Sequence, residues 1–191
     1  MRLIVVGMFV AIATAVFAWV PGDSLQQPVE WVQDPDAYAV YASVLPAIWS
    51  GESRDVLLLQ RETDDLAHVR RCVTEDASRY IGPEWQAVLT NFIEMSARTR
   101  LLEPRLPVNI PYRFIARAEI LADAARLQQT APATWERERL KFAAVSAVGF
   151  NPTKDKAMVY VGLRSSGWTY SREWRDNAWV AGSWTGCGWI A

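Results

Sequence analysis

The residues of this chain best placed for acid–base chemistry are three carboxylates within four positions, Glu62, Asp64 and Asp65. Two carboxylates that face one cleft can act as proton donor and as base or nucleophile without a histidine. The same cluster also reads as a solvated charged group at a helix start, and a cleft beside it would separate the two readings. His68 is the single histidine, so a Ser-His-Asp arrangement has to use it. It lies among Asp64, Asp65, Arg70 and Arg71, where it reads as a solvent-facing side chain in a charged helix. The sequence has no Gly-x-Ser-x-Gly elbow, no phosphate-cradling glycine loop and no His-Glu-x-x-His. It implies no cofactor. Cys72 and Cys187 are the only thiols and no Cys-x-x-Cys occurs, which argues against a Cys/His metal site. Outside a reducing compartment the two can bridge. The alternative is two separate buried thiols, each packing as a small hydrophobe.

The second candidate chemistry is recognition by aromatic rings. Of the 10 tryptophans, Trp168, Trp174, Trp179, Trp184 and Trp189 crowd the C-terminal end of the chain. Strand alternation places Trp168, Tyr170, Arg172 and Trp174 on one face. An open face of that kind stacks on sugar rings or peptide side chains. A covered one is the interface between sheet and helices, where each aromatic buries about 150–250 Å². The candidate binding residues are therefore Trp168, Tyr170, Arg172 and Trp174, with Glu62 beside them. The partners expected are an envelope protein or a glycan. The formal net charge of -1 gives no basic footprint for nucleic acid.

These residues need a scaffold. The chain has 191 residues, 51% hydrophobic and 21% charged, which suffices for one domain with a core. Met1-Arg2 is a short positive start, and the run from Leu3 to Val20 carries no charge. Ala13-Thr14-Ala15 and Val16-Phe17-Ala18 both fit a signal-peptidase site. Residues 1–20 thus read as a signal peptide or as an uncleaved anchor, since a run of that length is at the lower edge of a bilayer span. Either reading exports the rest of the chain to the periplasm or beyond, anchored to the inner membrane if uncleaved. Residues 21–33 read as a linker and 34–191 as a single domain.

Asp34-Pro35 starts a helix carrying Tyr38, Tyr41, Ala42, Leu45 and Trp49, with Pro46 set to kink or end it. Asp55–Gln60 reads as a buried strand, and Thr63 as the cap of a short helix with Leu66, Val69 and Val73. Gly82-Pro83 opens a helix whose face is Trp85, Val88, Leu89, Phe92, Ile93 and Ser96. A proline-rich connector leads to a short strand at Tyr112–Ile115, a helix over Ala116–Gln128 and a last helical segment from Pro132. Two apolar runs around the polar turn Pro152–Lys156 form an antiparallel pair. Trp168–Trp174 and Ala178–Trp184 follow as strands, joined by the turn signal Asp176-Asn177, and Thr185–Ala191 is a tail. The fold class is α+β: N-terminal helices packed on a C-terminal antiparallel meander of about four strands.

Ser146-Ala-Val-Gly-Phe-Asn151, Ala157-Met-Val-Tyr-Val-Gly162, Trp179-Val180 and Trp189-Ile190 resemble a family of uncharacterised exported bacterial proteins. Val40-Tyr41-Ala42 and Arg61-Glu62-Thr63 resemble it too, so the resemblance covers residues 36–191. It implies export and this fold, and no settled activity. Members often carry cysteine-glycine pairs in the hairpin after the Val-Tyr-Val strand, where this chain has Ser165-Ser166-Gly167. Within the residues alone, Gly149 suggests a bulge or a close backbone approach and Asn151-Pro152 a turn. The expected function is a non-catalytic binding domain of the cell envelope. The alternatives are a hydrolase using Glu62 with Asp64 or Asp65, and a membrane-anchored accessory subunit.

Overall fold

Asp34 starts the first helix as its type predicts, its Oδ1 accepting the Asp36 N–H at 3.0 Å. Helix α1 runs Pro35–Trp49 in a computed structural model that describes residues 30–49, 56–67, 72–76, 81–135, 140–163 and 166–190. Residues 1–20, expected to be a signal peptide or anchor, and His68 lie outside the described residues. Pro46 sits inside α1 without ending it. Tyr38, Tyr41, Val44 and Leu45 are buried along one face. Helix α2, Pro83–Ser96, buries Trp85, Val88, Leu89, Phe92 and Ser96, the stripe its 3.6-residue period picks out. Helix α3, Arg117–Thr130, buries only Leu127.

The strands are β1 Leu57–Gln60, β2 Tyr112–Ile115, β3 Ala143–Val145, β4 Gly149–Phe150, β5 Lys156–Leu163, β6 Ser166–Arg175 and β7 Ala178–Ile190. They form one sheet in the order β2-β1-β3-β5-β6-β7, with β4 also on β5. The α+β class holds, and β3, β5, β6 and β7 pair antiparallel in that order, but the sheet is larger than a four-strand meander. β1 lies parallel to both β2 and β3, so two strands of the helical half join the sheet. The tail expected from Thr185 continues β7 along β6. Of the helical segment expected from Pro132, residues 132–134 are turn and Trp135 is helical, residues 136–139 lie outside the described residues, and Ala143 is already strand. β6 and β7 meet through Asp176 and Asn177, both at positive φ (50° and 61°), the two-residue hairpin that Asx residues favour.

Alternation along β5 divides the core in two. Ala157, Val159 and Val161 pack with α1. Met158 and Tyr160 pack with Trp85, Val88, Leu89 and Phe92 of α2. The sheet is therefore a middle layer with a helix on each face, which explains why both faces of this strand are apolar. No helix begins within residues 61–67, and residues 68–71 of the short helix expected after Thr63 lie outside the described residues. A π-helical turn, Cys72–Asp76, follows, and a disulfide joins its Cys72 to Cys187 of β7 with the Cα atoms 5.8 Å apart. Thr63 caps no helix; its Oγ1 accepts the Arg100 N–H at 2.8 Å. Residues 30–33 of the linker expected over 21–33 belong to the fold, because Leu101 pairs with Glu30 and Val32 through backbone bonds of 2.8 and 2.9 Å, and residues 21–29 lie outside the described residues.

Ser146 explains why β3 and β4 are separate. Its carbonyl turns out of the ladder to accept the Tyr41 hydroxyl at 2.9 Å. Its own hydroxyl fills the gap, accepting the Tyr160 N–H at 2.9 Å. The break lets Gly149 meet α2 directly. A Cβ on Gly149 would collide with the Cα and backbone nitrogen of Phe92, so only glycine fits. The Phe150 N–H then donates to Asn91 Oδ1 at 2.8 Å.

Candidate functional site

The carboxylates singled out by the sequence each hold backbone. Glu62 Oε2 accepts the Arg117 N–H at 2.8 Å and so caps the start of α3. Asp64 Oδ1 accepts the Leu66 N–H at 2.8 Å, and Asp65 Oδ1 the Ala67 N–H at 3.1 Å. Asp65 borders a small cavity of about 180 Å³ with Leu66, Val73 and Ile93. Glu62 and Asp64 do not line it. Among the described residues no group of three or more His, Cys, Asp or Glu side chains is arranged to hold a metal ion.

The aromatic stripe of β6 is not one open platform. Trp168 and Trp174 are 41% and 43% exposed at its two ends. Between them α1 covers the strand. Tyr170 packs into the α1 core, and Arg172 is 9% exposed. The Arg172 Nε donates to Ser43 Oγ at 3.1 Å, its Nη1 donates to the Ser171 carbonyl at 3.0 Å, and its guanidinium lies 5.6 Å from the Tyr170 ring centroid. Burial lowers the Arg172 pKa and raises that of Tyr170. Trp174 instead joins a second cluster. Its ring lies 5.5 Å from Trp179, which lies 5.9 Å from Phe150.

Phe150 is the wall of a cleft of about 780 Å³, a size that suits a small ligand. One side is the segment Trp31–Asp34 with Ala37 of α1, pinned by the pairing of Leu101. The opposite side is α2, which contributes Ala87, Thr90, Asn91, Glu94 and Met95. Those positions are i, i+3, i+4, i+7 and i+8, one helical stripe beside the buried one. Ala147, Val148, Phe150, Asn151, Pro152 and Lys154 complete the lining. The Val148–Asn151 motif therefore has two uses: Gly149 seats α2, and its neighbours line the cleft between α2 and α1.

The charges around this cleft are largely matched. Lys154 Nζ bonds Asp34 at 2.8 Å and Asp36 at 3.0 Å, and these bonds raise its pKa. It also lies 5.4 Å from the Phe150 ring centroid. Arg100 Nε pairs with Glu30 at 3.5 Å, and its Nη1 bonds the Met95 carbonyl. Asn151 is consumed by its own turn: its Oδ1 accepts the Asp155 and Lys156 N–H groups at 3.1 and 2.9 Å. Its amide hydrogens go to Thr153 and Asp155, which holds the Asp155 carboxyl below the usual carboxylate range. The side chains of Gln33, Thr90 and Glu94 make no hydrogen bond or ion pair within the described residues. The Asn91 Nδ2 is likewise uncommitted there, since only its Oδ1 bonds.

Sequence reasoning missed this cleft. Thr90, Asn91 and Glu94 lie outside the apolar stripe that the sequence marks on α2, and their own helical spacing was the available signal. Trp31 fell in the expected linker. No protein family, curated protein or solved structure matches this chain.

Proposed function

We propose that the protein is a non-catalytic binding domain exported to the cell envelope, with its ligand seated between α1 and α2. The observation that carries this reading is the cleft of about 780 Å³, where apolar walls meet the Gln33, Thr90 and Glu94 side chains and the Asn91 amide donor, none of them hydrogen-bonded within the described residues. The use of Glu62, Asp64 and Asp65 as backbone caps supports binding over carboxylate hydrolysis. The Cys72–Cys187 bridge supports an oxidising compartment, in line with the apolar segment at residues 1–20. Among the described residues no helix is long and apolar enough to cross a membrane.

Ala87 is exposed and lines the cleft, so Ala87→Trp obstructs it beside Thr90 and Asn91 without touching the core. Native mass spectrometry of protein purified from the producing cells should detect a bound small molecule on the wild type and none on Ala87→Trp. The reading is wrong if the purified protein turns over ester, glycoside or peptide substrates and Glu62→Gln abolishes that turnover.

A further inference from the structure

Resting on the binding reading above, we propose that the cleft takes a neutral glycan, with one pyranose ring between Trp31 and α2 and further units over Trp179 and Trp174. The uncommitted polar groups set the ligand chemistry. Thr90, Asn91 Nδ2 and Glu94 lie on one stripe of α2 and offer a hydroxyl, an amide donor and a carboxylate acceptor. Gln33 faces the same space. A sugar hydroxyl is both donor and acceptor, so a ring with several of them satisfies all of these groups at once. The walls require an apolar surface as well. Trp31, 38% exposed, has Arg61 5.2 Å from its ring centroid and borders the cleft. The C–H face of a pyranose is such a surface.

Charge selects against the other small polar ligands. Both cations at the cleft are engaged by carboxylates, Lys154 by Asp34 and Asp36, and Arg100 by Glu30. An anion would have to displace those carboxylates and would also meet Glu94. A cation would find Glu94 but would leave the Asn91 donor unused and lie near Lys154 and Arg100. An uncharged ligand disturbs none of the existing pairs. The aromatic contacts give the direction of a longer chain. Phe150 lines the cleft, Trp179 adjoins it, and Trp174 beyond is exposed. The rings lie 5.9 and 5.5 Å apart with their planes turned by 50° and 64°, so they form a stepped aromatic path from the cleft to solvent, along which each sugar unit meets a differently oriented ring.

The test is a titration of the full folded domain, followed by tryptophan fluorescence and calorimetry. The probes are cellotetraose and chitotetraose, with tetragalacturonate and tetralysine as charged comparators. At least one neutral tetrasaccharide should bind equally at low and high salt. Asn91→Asp keeps the acceptor that holds the Phe150 N–H and removes the donor, and should weaken binding roughly 3- to 10-fold. Trp174→Ala should weaken the tetrasaccharide about 2- to 10-fold and leave the matching disaccharide unchanged. Circular dichroism checks that both variants are folded. Salt-sensitive binding of tetralysine that Glu94→Gln abolishes would overturn the glycan and keep a binding domain. So would failure of the neutral sugars on a protein that carries another ligand sensitive to Ala87→Trp. Absence of any ligand and of any probe binding would overturn both readings.

Discussion

At the scale of single residues, Gly149 is the position where the sequence speaks most directly. A glycine in an apolar strand implies a close neighbour, and the neighbour is the backbone of α2 at Phe92. Gly149→Ala would force the helix off the sheet. Overpacking of this kind costs about 1–3 kcal/mol, read as a lower urea midpoint at unchanged slope. An unchanged midpoint would mean that α2 does not rest on this strand. Other residues were legible in type and not in partner. Glu62 stood out as an acid, yet its partner Arg117 lies 55 positions away, a distance no local pattern bridges. Arg172 stood out among aromatics, but its cover comes from Ser43 of α1, 129 positions away. Alternation assigns a side chain to a face of a sheet and is silent on which helix lies over that face.

At the scale of elements, α1, α2, α3 and the strand pair around Pro152 are readable because each carries its own period or turn chemistry. The break between β3 and β4 is not, because it is imposed from α1 through Tyr41. Its hydroxyl is buried and donates to the Ser146 carbonyl, and burial raises its pKa far above that of a free tyrosine. Tyr41→Phe leaves that carbonyl without its partner and should cost about 1–3 kcal/mol near neutral pH. The sign of the pH dependence follows from the raised pKa. Below about pH 10 the unfolded chain keeps Tyr41 protonated, so the contribution is complete. Above it the unfolded chain ionises first, and the contribution falls by roughly 1.4 kcal/mol per pH unit. Urea midpoints of wild type and Tyr41→Phe should therefore converge as pH rises above about 10. A gap that stays constant there would mean that Tyr41 ionises as readily folded as unfolded.

At the scale of the whole molecule, the mixed sheet was out of reach of pattern reading. β1 is four residues long and parallel to β2, which lies beyond α2, and to β3, which lies beyond α3, so its pairing is decided by tertiary packing. The connection that can be tested at this scale is the bridge from Cys72 to Cys187, with a sequence separation of 115. It ties the π-helical turn to the last strand, on the α2 side of the sheet. In the chain-entropy account a loop of about 100 residues is worth roughly 4.7 kcal/mol, less any strain. Loss of the bridge should thus be felt across the fold, with the Cys72→Ser, Cys187→Ser double variant about 2–5 kcal/mol less stable. The state of the thiols also bears on export, because a bridge persists where glutathione and thioredoxin do not reduce it. Intact mass of the protein from its own cells, alkylated without reduction, reads both properties together. A chain cut after Ala15 or Ala18 and carrying no alkyl group is the expected result. Full length with two alkylated thiols would overturn the bridged, cleaved form. It would instead make residues 1–20 an anchor and point the search for function towards a membrane partner.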